Sequence, residues 1–132
     1  KILAKMLSGI GSDVTISARK CSDLAWISSL GYSALDNSVL ESNIAKFDVI
    51  FNTAPALILN KKILEKVNPE TLIIDLASKP GGVDFESAKS LGLKVVWATS
   101  LPGKLFPQSS GKIITDTILD ILQKSAGEVK KC

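Results

Sequence analysis

The stretch Thr71-Leu-Ile-Ile-Asp-Leu-Ala-Ser-Lys-Pro-Gly-Gly-Val-Asp-Phe85 decides the architecture. Its first seven residues are nearly all apolar and show no polar face, the pattern of a parallel strand covered on both sides. The strand runs into Ser78-Lys-Pro-Gly-Gly82, a loop that cannot start as a helix because proline pushes the residue before it towards extended backbone. Asp84 then stands where it caps a helix over Phe85–Leu91, which Gly92 ends. The same design occurs upstream. Asp48-Val-Ile-Phe-Asn-Thr-Ala54 is an apolar run closing in small polar residues and Pro55, and a helix is expected over Leu57–Val67. Downstream, Leu93-Lys-Val-Val-Trp-Ala98 is a further strand leading to Leu101-Pro-Gly103.

Towards the N-terminus the signals are shorter. Ile2, Leu3, Met6, Leu7 and Ile10 share a helical face that stops at Gly9-Ile10-Gly11. Val14–Ser17 is a β-branched strand, and Ser22-Asp23 suits the cap of a helix running to Leu30 and closed by Gly31. Tyr32–Asp36 is a weaker strand, and Val39–Phe47 a short helix behind the Asn37-Ser38 turn. At the other end, Ile113, Ile114, Ile118, Leu119 and Leu122 predict a long amphipathic helix over Ser110–Gln123. Strands alternating with helices across short connections predict an α/β fold: a doubly wound, Rossmann-like parallel sheet with helices on both faces, in one domain over residues 1–132.

Composition narrows the chemistry. The chain has 132 residues, 45% hydrophobic and 22% charged, which is enough for a hydrophobic core without disulfides. No apolar run approaches the roughly 18 residues of a membrane span, and no secretory signal opens the sequence, so a cytoplasmic protein is expected. There is no histidine, which excludes imidazole-based triads and most zinc hydrolase sites within this chain. Cys21 and Cys132 are too few for a disulfide framework or a metal site. A net charge of +3, scattered apart from Lys130-Lys131, gives no nucleic-acid stripe.

In open parallel sheets ligands bind beyond the carboxyl ends of the strands. The first such end, Ser17-Ala-Arg-Lys20, lacks the acid that an NAD-binding fold places on the ribose hydroxyls. Arg19, helped by Lys20, suits a ribose 2′-phosphate instead and favours NADP, although a solvated basic loop explains the segment as well. Asn52-Thr-Ala-Pro55 offers small side chains that admit a flat ring and polar groups for ribose or phosphate oxygens. The plainer reading of this segment is a strand-to-helix turn with proline at the helix start. Asp75 reads as a buried, hydrogen-bonded residue near its strand end, and with Leu76, Ala77, Leu101 and Pro102 completes the positions expected around a cofactor. Two glycines after Pro80 suit close backbone approach to a ligand. Lys79 and Lys104 are the candidate catalytic residues, as cations for a substrate carboxylate or as proton carriers, although a surface lysine beside a tight turn explains Lys79 as well. Gly9-Ile10-Gly11 is refused as a dinucleotide fingerprint because it follows a helix and precedes a strand. The first strand of such a fold and its glycine loop are therefore expected upstream of Lys1 and are missing from this sequence.

Val14-Thr-Ile-Ser-Ala-Arg-Lys20, Asp48–Pro55, Thr71–Phe85 and Leu101-Pro-Gly103 together resemble, in order and over nearly the whole chain, the C-terminal dinucleotide-binding domain of the A subunit of bacterial dipicolinate synthase. Thr71–Phe85 is the most specific part. The resemblance implies NADP-dependent oxidation of a dihydrodipicolinate-type precursor to the dicarboxylate of bacterial spores. It also implies that the partner is a flavoprotein-like B subunit, and that the active-site cleft is shared with a preceding domain. A sheet lacking its first strand must pair across the gap, rearrange or leave edges that invite association, so a homo-oligomer is possible. Shikimate dehydrogenase is similar in architecture and in its preference for NADP, and is the alternative enzyme class. The 2-hydroxyacid dehydrogenases fit less well, since their catalytic histidine is absent. A noncatalytic subunit-contact module that keeps the fold is the remaining alternative.

Overall fold

The computed structural model describes residues 2–98. Five strands and five helices alternate: α1 Ile2–Gly9, β1 Thr15–Ala18, α2 Cys21–Ser29, β2 Ser33–Asp36, α3 Leu40–Asn43, β3 Val49–Asn52, α4 Lys61–Leu64, β4 Leu72–Asp75, α5 Phe85–Ser90 and β5 Lys94–Trp97. All strand pairs are parallel, as the apolar runs predict. Residues Thr15–Ser100 fall in one compact unit, and α1 belongs to another. The expected helix over 110–123 lies outside the described residues.

The strands form two sheets, β1-β2 and β3-β4-β5. A doubly wound sheet has the order 3-2-1-4-5-6. The pair β1-β2 and the triplet β3-β4-β5 have the neighbour relations that strands 2-3 and 4-5-6 have in that order. Of the outcomes open to such a sheet, the described strands leave the edges of β1 and β3 unpaired. Right-handed crossovers in the two directions place the helices on both faces.

β4 is the hub of the triplet. It is hydrogen-bonded on both sides, with Ile73 opposite Ile50 and Val95, and all four of its residues are buried. Ile73, fully enclosed, packs in a core with Leu40, Ile44, Leu59, Leu64, Val67, Val83 and Ala88, so one face of β4 supports α3, α4 and α5. Thr71, just before the strand, gives its hydroxyl to the Phe47 carbonyl at 2.7 Å and ties the entries of β3 and β4 together.

Three helices differ from expectation. The segment Val39–Phe47 divides into 3-10 turns on either side of the four-residue α3. Helix α4 starts at Lys61, not Leu57, because Asn60 is its cap: the Asn60 side chain accepts the Ile63 amide at 3.1 Å. In α2 the helix starts at Cys21, with Asp23 in its first turn, and Lys20 at the cap makes no side-chain bond there. The Asp84 cap on α5 is as expected. Asp84 accepts both the amide and the hydroxyl of Ser87, at 3.0 and 2.7 Å.

Removing the Ile73 side chain beyond Cβ should cost about 2–5 kcal/mol, seen as a lower urea midpoint at an unchanged m-value. Hydrogen bonds from the Ser87 hydroxyl and amide hold the Asp84 carboxyl below its usual 3.8. A carboxyl lowered in the folded state stabilises above its unfolded value and loses that contribution as pH falls through the folded one. The stability difference between wild type and Asp84→Ala should therefore be constant near neutrality and shrink in acid below 3.8. Thermal melts across an acid pH series measure it.

Candidate functional site

The carboxyl ends of β3 and β4 lie side by side, with Asn52 opposite Asp75. Both side chains are buried, and they bond to each other: the Asn52 amide donates to Asp75 Oδ1 at 2.8 Å. That amide also donates to the Ala54 carbonyl at 3.0 Å, and Asn52 Oδ1 accepts the Ala54 N–H at 3.4 Å. Asp75 Oδ1 takes a second bond from the Ala77 amide at 3.0 Å, while Oδ2 takes the Gly82 amide at 2.8 Å. No part of Asp75 is exposed.

Gly82 joins the two strand-end loops. Its carbonyl accepts the amides of Ile58 and Leu59 at 3.1 and 2.9 Å, and the Leu59 carbonyl accepts the Asp84 amide at 3.0 Å. Leu59 and Val83 thereby form a short parallel bridge beyond the ends of the strands. A Cβ on Gly82 would collide with the Asn52 amide nitrogen and stand 2.7 Å from the carbonyl oxygens of Ala54 and Ala56. Gly81 has a φ of 85°, and a Cβ there would meet Asp75 Oδ2 at 2.8 Å. The Lys79-Pro80 peptide is cis, and the Gly81 amide closes the turn on the Ser78 carbonyl at 2.9 Å.

These contacts correct three expectations. The adjacent glycines make their close approach to the neighbouring protein loop, so the Pro-Gly-Gly sequence is explained without a ligand. Asn52 turns its polar atoms inward on Asp75 and on the backbone of its own loop and not outward, while Asp75 is the buried, hydrogen-bonded residue that its place near the strand end suggests. Pro55 precedes α4 by six residues and is not a helix-start proline. Ala77 is buried and Leu76 half-buried. What remains open at this end of the sheet is Thr53, Pro55, Ala56 and Leu57 on one loop and Ser78, Lys79 and Pro80 on the other, with Ala54 half-buried.

Sequence reasoning missed the bridge between the loops and the aromatic pair beside it. Phe85 and Trp97 stack with ring centroids 4.9 Å apart, and the Trp97 indole N–H reaches the Ala77 carbonyl at 3.4 Å. Asn60 was the available signal for the first, since an Asn before Lys-Lys-Ile marks a later helix start and leaves Ile58 and Leu59 outside the helix, free to pair with Gly82.

At the other sheet, Ala18 on β1 lies opposite Asp36 on β2, so Ser17, Ala18, Arg19 and Lys20 sit at the carboxyl end as expected. Arg19, Lys20 and Ser17 are exposed. The amide and then the hydroxyl of Ser38 hold the Asp36 carboxyl below its ordinary range, and the amide bond is 2.8 Å. Next to it, Asn37 Oδ1 is buried without a hydrogen-bond partner in the structure. Cys21 is exposed and free. Among the described residues no group of acidic, cysteine or histidine side chains is placed to hold a metal, and no helix is long and apolar enough to cross a membrane. Lys104, Leu101 and Pro102 lie outside the described residues.

Parallel strands with loops gathered at their carboxyl ends define a Rossmann-like α/β domain. No protein-family model matches the chain. It is 34% identical over 129 residues to the A subunit of dipicolinate synthase from Bacillus subtilis (strain 168), an alignment covering 98% of this chain and 43% of that protein. The crystal structure of the A subunit of dipicolinate synthase from Bacillus halodurans superposes with a TM-score of 0.75 at 34% identity, over 90% of this chain and 41% of the other. The crystal structure of the Bacillus subtilis counterpart gives the same TM-score and identity over 95% and 42%. Along nearly its whole length the chain is thus homologous to the dipicolinate synthase A subunits, and it spans a little over two-fifths of that Bacillus subtilis relative. The resemblance read from Thr71–Phe85 and its companions is borne out.

Gly82→Ala should destabilise the domain by about 1–3 kcal/mol, because the added methyl meets two backbone carbonyls that cannot swing away. Denaturant unfolding of this variant beside Gly92→Ala separates the two costs, since Gly92 has open space at its Cβ position and only its φ of 69° to strain.

Proposed function

We propose that this chain is the dinucleotide-binding part of the A subunit of a dipicolinate synthase, which acts as an NADP-dependent oxidoreductase converting a dihydrodipicolinate-type precursor to dipicolinate. The observation that carries this reading is the homology along 98% of the chain, joined to an accessible arginine and lysine at the carboxyl end of β1.

The residues present fit NADP. Arg19 and Lys20 supply cations for a 2′-phosphate, and a guanidinium pairs with phosphate oxygens in two parallel bonds. Asp36, the nearest acid by strand register, is turned to Ser38. The orphaned Asn37 Oδ1, one residue on, is an acceptor suited to a ribose hydroxyl or an adenine amine. NADP when bound supplies the hydride acceptor. The dihydropyridine gives up one hydride and one proton as its ring becomes aromatic. Lys79 then holds a substrate carboxylate, and the small loop Thr53-Ala-Pro-Ala56 leaves room for two flat rings to approach. A partnership with a B subunit follows from the same reading, because the homologous protein is named as one subunit of a synthase.

Calorimetric titration of the intact protein with NADP and NAD tests the proposal. NADP is expected to bind more tightly, and Arg19→Glu should weaken it by about 10–100-fold with little change for NAD, the size of one lost charge-assisted contact. Equal affinity for the two cofactors in wild type overturns the Arg19 assignment. No binding of either leaves the noncatalytic module as the better account.

A further inference from the structure

We propose that Asp75 is a positioning residue for this reaction: one buried carboxylate clamps both feet of the loop that carries Lys79 and ties that loop to the one that carries Thr53. The inference deepens the proposed function and rests on it.

The geometry is that of a staple. Ala77 and Gly82 bracket the loop, and their amides converge on the two oxygens of the same side chain, at 3.0 Å on Oδ1 and 2.8 Å on Oδ2. Inside the staple the Gly81 amide closes on the Ser78 carbonyl. Ala77, Gly81 and Gly82 are buried, whereas Ser78, Lys79 and Pro80 are exposed, so a fixed base carries a three-residue crown. The Asn52 amide is the third donor on Asp75, and it reaches across from the strand whose next residue is Thr53.

Three donors on two oxygens require both oxygens to accept. An asparagine at this position offers a single acceptor and sets an NH2 group against a remaining N–H. A carboxylate therefore fixes the loop where its amide isostere cannot. The benefit falls on the ligand-bound state: with the base of Lys79 placed beforehand, its ammonium meets a substrate carboxylate without first ordering the loop.

Native-state amide exchange on the wild-type chain is the first test. Ala77 and Gly82 should exchange as slowly as Ile73 and Ile74 of β4, and Lys79 much faster. Exchange of Gly82 at the rate of Lys79 overturns the clamp. The second arm uses the intact protein, comparing Asp75→Asn with the swap Asn52→Asp/Asp75→Asn, which restores a carboxylate–amide pair between β3 and β4 but not both loop feet.

Positioning predicts that kcat for NADP reduction falls by about 10–100-fold in both variants, with KM for NADP unchanged. It also predicts that the swap, which sets a carboxylate oxygen at position 52 against the Ala54 carbonyl, differs from Asp75→Asn in melting temperature but not in kcat. If kcat follows the melting temperature in the two variants, Asp75 only holds the fold and the proposal is overturned. If wild type does not reduce NADP at all, the proposed function fails, while the exchange arm still decides whether Asp75 fixes the loop.

Discussion

A buried carboxylate is stable only where donors or cations surround it. Asp75 meets that requirement with one side-chain amide and two backbone amides, and the course of the chain from Asn52 to Asp84 follows from it. Asn52 must point inward to donate. The segment after Pro55 must run extended beside Gly82, and the loop after Ala77 must return within reach of the same oxygen atoms. The hydrophobic core below is a general device shared by parallel sheets. The polar knot above it is particular to this chain.

Position in the sheet explains why the knot can exist. β4 is flanked by β3 and β5 and buried on both faces, so its carboxyl end is the most enclosed point of the triplet. The low-dielectric surroundings that strengthen each hydrogen bond there also penalise any donor or acceptor left unpaired. β1 and β2, by contrast, are half exposed, and β1 leads into exposed basic side chains. One end of this fold is thus built for rigidity and the other for charge.

Much of the fold is legible in the residues because parallel strands covered on both sides leave plain apolar runs. Thr71–Ala77 and Asp48–Ala54 each contain their observed strand, and Asp84 caps α5 as its position before Phe85 suggests. Helix starts are less legible. Leu57 and Ile58 continue an apolar pattern that reads as helix, yet tertiary bonds to Gly82 hold Ile58 and Leu59 extended, and local pattern carries no record of a partner more than twenty residues away. The site is legible in its composition and not in its direction. Asn52, Asp75, Gly81 and Gly82 stand out in the sequence as special, but a sequence does not show whether a polar group faces a ligand or its own chain.

The closeness of Gly82 to Asn52, Ala54 and Ala56 has a consequence for how such a sequence can change. Bulk at Gly82 meets the Asn52 amide and two backbone carbonyls, shortening Asn52 removes a donor from Asp75, and neutralising Asp75 strands the Gly82 amide. Each single step passes through a damaged intermediate, so the three positions are strongly epistatic and drift only together. Thr53, Lys79 and Leu57, exposed on the same two loops, are free of that constraint. A protein arranged in this way can vary the crown of its loops while their foundations remain locked.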